Sequence, residues 1–336
     1  MKEDISRLRD QLSSSKEIVI VTHRNPDGDA MGSSLALWNF LAKRGNAATV
    51  ITPNDYPDFL AWLPGNGKVL KYDTDTIAAS EKILKAGIIF CLDFNNLSRL
   101  EGLGSAILAS KAWKVLVDHH PQPEPFADFA YHDTDSCSTA QLIFELISEL
   151  GEKHLLDKDS AICLYTGIMT DTASFRFPSV QAKTHRIAAE LIDLGMPHYL
   201  AHEQVYDTNT EERLKLLGFT LLEKMQVLRE YNAACISLSE SELKRYKFRK
   251  GDTEGLVNYP LSIKGMRLSA FFMERDGVIK VSLRSKGDFD VNKMARAHFN
   301  GGGHRNAAGG DLKLTLDEAV KKFLELLPGY RNELQK

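Results

Sequence analysis

The chain has 336 residues, 43% of them hydrophobic and 26% charged, with a formal net charge of −3. That length allows two domains with separate cores, and the composition is ordinary for a soluble globular protein. No apolar run approaches the ~20 residues that a membrane span requires, and the opening Met1-Lys2-Glu3-Asp4-Ile5-Ser6-Arg7 has no signal-peptide apolar core. Cys91, Cys137, Cys163 and Cys235 are scattered, with no C-x-x-C pair. They read as reduced thiols, not a disulfide frame or a zinc site, so a cytoplasmic enzyme or binding protein is expected.

The elements follow in order. Glu3 to Leu12 reads as an opening helix, and Ile18-Val19-Ile20-Val21 as a short buried strand. The strand runs into Val-Thr-His-Arg-Asn-Pro-Asp-Gly-Asp-Ala, residues 21–30, and then into a helix that stops at Gly45. A strand is expected near Thr49–Ile51 and a helix at Ile77–Lys85. The apolar run Ile88–Leu92 ends in Asp93. After a short helix near Leu103–Leu108, Val115–Val117 ends in Asp118-His119-His120. Helix and apolar strand alternating at this pace indicate βαβ units and a parallel sheet.

Beyond Pro125 the pattern is mainly helical: Ala140–Leu150 with Ser138 or Thr139 as cap, then 159–170 ending in Thr170-Asp171-Thr172, then 182–194. The polar-striped stretch Asn209 to Leu228 reads as a helical connector. Ala233–Leu238, Met266–Met273 and Val278–Arg284 read as strands, with Leu243, Ala295 and Val320 in helices, giving a second, smaller α/β domain. Charge divides along the same line. From Gln226 onward 20 Lys and Arg stand against 14 Asp and Glu, a net of +6, whereas residues 1–225 carry −9. An acidic part suited to cations precedes a basic part suited to an anion.

Three strands end in acid or imidazole: Val21 before His23, Asp27 and Asp29; Leu92 before Asp93; Val117 before Asp118, His119 and His120. In a parallel sheet such carboxyl ends lie on one edge, where ligands bind. Asp171 is a fourth candidate. Any one of these reads as a turn or cap residue; their joint occurrence points to a metal site. Asp and His without Cys suit Mn²⁺ or Mg²⁺, and crowded carboxylates call for two ions. His132, His154, His185, His198, His202 and His298 read as surface or packing residues.

A second cluster is Asn300-Gly301-Gly302-Gly303-His304-Arg305, followed by Ala307-Ala308-Gly309-Gly310. Consecutive glycines let backbone N–H groups approach a phosphate, with His304 and Arg305 as charged donors. A hairpin turn explains the glycines equally well. Arg284 and Ser285 are a second candidate contact, and Phe271, Phe272 or Phe299 could stack on a base or fill the core.

The order His23-x-x-x-Asp27-x-Asp29, Asp93, Asp118-His119-His120, Asp171 resembles that of the DHH phosphoesterases. Gly301-Gly302-Gly303-His304 resembles their DHH-associated C-terminal domain. In size and domain spacing the whole chain looks most like bacterial oligoribonucleases that also dephosphorylate 3′-phosphoadenosine 5′-phosphate (pAp). The resemblance implies a parallel-sheet DHH domain at 1–195, a helical linker at 196–228 and a substrate-binding α/β domain at 229–336. It implies that His23, Asp27 and Asp93 hold one Mn²⁺ and that Asp29, Asp93, His119 and Asp171 hold a second, Asp93 bridging. Mg²⁺ or Co²⁺ would substitute. His120 would face the scissile phosphate, Asp118 would orient the imidazoles, and Arg284 with Gly301, Gly302, Gly303 and His304 would grip the nucleotide. Ala173 departs from the pattern, since relatives often have Gly after Asp-Thr.

The implied activity is hydrolysis of short single-stranded RNA or DNA, about 2–5 nucleotides long, to mononucleotides, together with conversion of pAp to AMP. A homodimer is implied, and no membrane partner. The same motifs would serve a phosphodiesterase of cyclic or linear dinucleotides (c-di-AMP, pApA). An inorganic pyrophosphatase shares the N-terminal ligand pattern but has no use for the glycine cluster. A non-catalytic nucleotide-binding regulator would have lost a ligand.

Overall fold

A computed structural model describes residues 5–14 and 16–336, which divide between Thr208 and Asn209 into two compact units. The opening helix α1 spans Ile5–Leu12; Glu3 and Asp4 of the expected helix lie outside the described residues.

In the first unit, β1 (Ile18–Thr22), β2 (Ala48–Thr52), β3 (Leu70–Lys71), β4 (Ile88–Leu92), β5 (Trp113–Asp118) and β6 (Phe129–His132) make one sheet in the order β3-β2-β1-β4-β5-β6. Every pairing is parallel. The runs 18–21 and 88–92 read as continuous apolar segments because the sheet is covered on both faces. Ile18, Ile20, Ile88 and Phe90 pack on α2 (Gly28–Arg44), α5 (Thr139–Glu149) and α6 (Lys158–Asp171). Val19, Val21, Ile89 and Cys91 pack on α3 (Thr76–Lys85) and α4 (Gly102–Ala109). Burying each such side chain contributes roughly 1.5–3 kcal/mol. The chain leaves β1 toward β2 and β3, then crosses back to β4. β1 and β4 therefore flank the switch point, where an open parallel sheet leaves a crevice at its carboxyl edge.

Two glycines let the helices above that crevice approach closely. A Cβ on Gly32 of α2 would stand 2.5 Å from the Cys163 carbonyl oxygen. A Cβ on Gly167 of α6 would stand 2.6 Å from Ala140 Cβ and 3.0 Å from Asp29 Oδ1. α7 (Ala182–Asp193) and α8 (His198–Tyr206) complete this unit, with Leu191, Ala201 and Val205 in its core.

The second unit opens with α9 (Glu211–Phe219) and a π-helical turn at 220–224, then carries β7 (Met225–Leu228), β8 (Ala233–Leu238), α10 (Glu240–Arg245), β9 (Leu268–Arg275), β10 (Val278–Ser285), α11 (Val291–His298), β11 (Gly302–His304), β12 (Ala307–Leu312) and α12 (Leu316–Leu334). Its sheet order is β11-β12-β10-β9-β8-β7, antiparallel except for β8–β9. α11 and α12 cover one face through Met294, Ala295, Phe323 and Leu327. The stretch expected as a helical linker, 196–228, divides between the units. Residues 198–206 pack in the first, and 225–228 form an edge strand in which Met225 pairs with Ile236 and Leu228 with Ala233. The helical run of 211–224 stops at Met225 because Met-Gln-Val-Leu satisfies its backbone on β8 instead.

Candidate metal and catalytic site

His23 follows β1, Asp93 follows β4, Asp118 ends β5 with His119 and His120 next, and Asp171 ends α6. Asp27 caps α2, its Oδ1 accepting the N–H groups of Asp29 and Ala30 at 3.0 Å each. Pro-Asp-Gly-Asp therefore both starts the helix and delivers carboxylates to the sheet edge.

Asp93 is the hub. Its Oδ2 lies 3.4 Å from His23 Nε2, while its Oδ1 lies 3.5 Å from His119 Nε2 and 3.7 Å from His120 Nδ1. On one side His23 Nε2 is 3.9 Å from Asp27 Oδ2. On the other His119 Nε2 is 3.5 Å from Asp171 Oδ2 and 4.0 Å from Asp29 Oδ2. Among the groups with metal-ligand spacing are His23–Asp27–Asp93 and Asp29–His119–Asp171, and Asp93 turns one oxygen toward His23 and the other toward His119.

The imidazoles are oriented from behind. His23 Nδ1 donates to the Arg24 carbonyl at 2.8 Å and His119 Nδ1 to the Ser136 carbonyl at 3.2 Å, so both rings turn Nε2 toward the carboxylates. This is how a ligating histidine is held. His120 is reversed: its Nδ1 donates to Asp118 Oδ1 at 2.8 Å. The other Asp118 oxygen is buried without a hydrogen-bond partner.

Burial, then the neighbouring Asp93 and Asp171, push the Asp29 carboxyl well above its usual range. Burial would do the same to Asp93, but hydrogen bonds with His119 and His23 outweigh it and hold Asp93 well below. Burial disfavours charged imidazoles, yet hydrogen bonding to Asp93 and nearby carboxylates raise His23 and raise His119 strongly. Without metal, the carboxylates are thus balanced by protons on the imidazoles. A divalent cation would take over that role and release the protons. Carboxylate oxygens and imidazole nitrogens without thiol fit such an ion, and carboxylates this close repel unless one is present.

Sequence reasoning missed the support from α5. The Thr139 and Ala140 N–H groups donate to Asp29 Oδ2 and Oδ1 at 2.6 and 2.8 Å, and the Thr139 hydroxyl donates to Asp93 Oδ1 at 3.0 Å. Ser138 caps that helix, as one reading of the sequence had it. His132, read as a surface or packing residue, places Nε2 2.6 Å from the His120 carbonyl.

The remaining candidates lie in the second unit. Gly301 to Arg305 belong to the β11–β12 hairpin, where Gly302 pairs with Gly309 and His304 with Ala307. Close backbone packing accounts for Gly301, whose Cβ would fall 1.8 Å from the Gly309 oxygen; Gly302 has ordinary room around it. The Ser285 hydroxyl is occupied within the fold, donating to the Phe289 carbonyl at 2.6 Å. Arg305 is paired with Asp288, and Arg284 donates to the Leu283 carbonyl. Phe271, Phe272 and Phe299 are buried, so they are core residues. No helix among the described residues is long and apolar enough to cross a membrane.

A doubly wound sheet with a carboxylate–imidazole cluster at its switch point has side chains that could bind divalent cations, an arrangement that suits a hydrolase. Residues 17–168 match the DHH family, N-terminal domain, and residues 234–330 match the DHHA1 domain; the chain belongs to the DHH phosphoesterase family. It is 30% identical over 314 residues to the bifunctional oligoribonuclease and PAP phosphatase NrnA of Bacillus subtilis, covering 92% of this chain and 93% of that one. A crystal structure of an exopolyphosphatase-related protein from Bacteroides fragilis matches with a TM-score of 0.95 and 41% identity, over 99% of this chain and 97% of that one. The cyclic-di-AMP phosphodiesterase PdeA of Listeria monocytogenes is 25% identical over 96% of this chain and 49% of its own length.

Proposed function

We propose that this chain is a Mn²⁺-dependent phosphoesterase that cuts short oligoribonucleotides to mononucleotides and converts pAp to AMP. The observation that carries this reading is Asp93, with one oxygen toward His23 and the other toward His119. Similarity to the Bacillus subtilis protein across nine-tenths of both chains supports the substrate class. Four buried free thiols suit a cytoplasmic setting.

His23, Asp27 and Asp93 would hold one Mn²⁺, and Asp29, Asp93, His119 and Asp171 the other. When bound, the ions supply an activated water and positive charge for the phosphoryl oxygens. Thr139 and Ala140 keep the Asp29 and Asp93 carboxylates from rotating. His120, fixed at Nδ1 by Asp118, would turn Nε2 to a phosphoryl oxygen as charge develops there. Nucleotide binding falls to Arg284, the Gly301–Gly303 backbone and His304, with Ser285 and Arg305 shaping the hairpin.

The test compares turnover of RNA dimers to pentamers, pAp, cyclic di-AMP and pyrophosphate, with Mn²⁺ and with chelator. Mononucleotides from the RNA and AMP from pAp are expected, with Mn²⁺ only. Asp93→Ala should lose more than ~100-fold in rate while remaining folded, since even partners of ligands cost 10–100-fold. Cleavage of pyrophosphate alone would overturn the reading. Preference for cyclic di-AMP would favour the dinucleotide phosphodiesterase, which the similarity to PdeA supports.

A further inference from the structure

Asp171 stands in a difficult place. It ends α6, where the helix dipole opposes a carboxylate, and His119 lies between it and the buried carboxylates Asp29 and Asp93. The helix end disfavours its charge, and the His119 imidazole 3.5 Å away offsets that. The chain that leaves it is also strained: Ala173, Ser174 and Phe175 have φ of 47°, 62° and 61°. L-residues avoid successive left-handed conformations because Cβ crowds the carbonyl oxygen. Such a turn persists only where its surroundings over-determine it.

Three helices supply those surroundings. The buried Thr172 hydroxyl donates to the Ile168 carbonyl of α6 at 2.6 Å and accepts the Phe175 N–H at 2.9 Å. From α8, His202 Nε2 meets Ser174 Oγ at 2.9 Å. The Phe175 ring packs against Tyr165 of α6 at 5.6 Å and stacks on His185 of α7 at 5.5 Å and 28°. We propose that Thr172, Ser174 and Phe175 are positioning residues that lock this left-handed turn and thereby fix Asp171 in the metal cluster. The inference rests on the two-cation reading above. His185 and His202, which touch no ligand, become outer supports of the site.

Mn²⁺ titration of the full-length chain, read by electron paramagnetic resonance of the free ion, tests it. Circular dichroism monitors folding, and kcat and KM are recorded on pAp. Phe175→Ala and Ser174→Ala are each expected to weaken one of two ions by about 10–100-fold, leave the other unchanged and lower kcat with KM held. Phe175→Tyr, which keeps the ring, should bind both ions with wild-type affinity. If Phe175→Ala does not fold, Ser174→Ala decides alone. Two ions at wild-type affinity in a folded variant, or equal weakening of both, would overturn the positioning role. A wild-type chain that binds fewer than two ions would overturn the two-cation reading and this proposal with it.

Discussion

Asp93 and its imidazole partners set the pH behaviour of the metal-free protein. His119 and His23 are raised above 6.5 by their carboxylates. Their contribution to stability is complete below the unfolded imidazole value and disappears as pH rises through the raised folded values. Asp93, held low, contributes above its unfolded value of 3.8 and loses that as pH falls through the depressed one. Asp29, raised by burial, weakens the fold once it ionises. Chelated protein should therefore melt at a lower temperature as pH climbs above 6.5, by about 2–4 °C per kcal/mol lost. Mn²⁺ should reverse the loss. A melting temperature that is flat or rises over the same interval without metal would refute this balance of charges. These groups were legible in the sequence because strand ends deliver them. Thr139 was not, since its contacts with Asp29 and Asp93 span 110 and 46 residues.

Helix approach is the next level of control. Gly167 admits Ala140 and Asp29 against α6, so Gly167→Ala should force α2, α5 and α6 apart. A loss of about 1–3 kcal/mol is expected, as for other overpacked sites, together with weaker Mn²⁺ binding. Urea unfolding and a metal titration would measure the two effects, and wild-type values in both would show that Gly167 sets neither. The buried strands were readable because a doubly covered sheet demands unbroken apolar runs, as at 18–21 and 88–92. β3, with two residues, and β6, half-buried as Phe-Ala-Tyr-His, carry too little pattern. β7 was hidden in a helical stripe because its strand character comes from pairing with β8, a tertiary effect that local pattern does not encode.

For the molecule as a whole, the acidic unit carries the metal-type cluster and the basic unit the glycine hairpin, as the charge division of the sequence indicated. The two roles should separate kinetically. His304→Ala is expected to raise the KM for pAp about tenfold with kcat little changed, the signature of lost uniform binding; an unchanged KM would take His304 out of the substrate site. The proposed site stands or falls on whether Asp93 bridges two cations. The most direct measurement is anomalous diffraction from crystals of the full chain grown with Mn²⁺. Two peaks are expected, one beside His23 and Asp27 and one beside Asp29, His119 and Asp171, with an Asp93 oxygen on each. A single peak, or peaks away from Asp93, would contradict it.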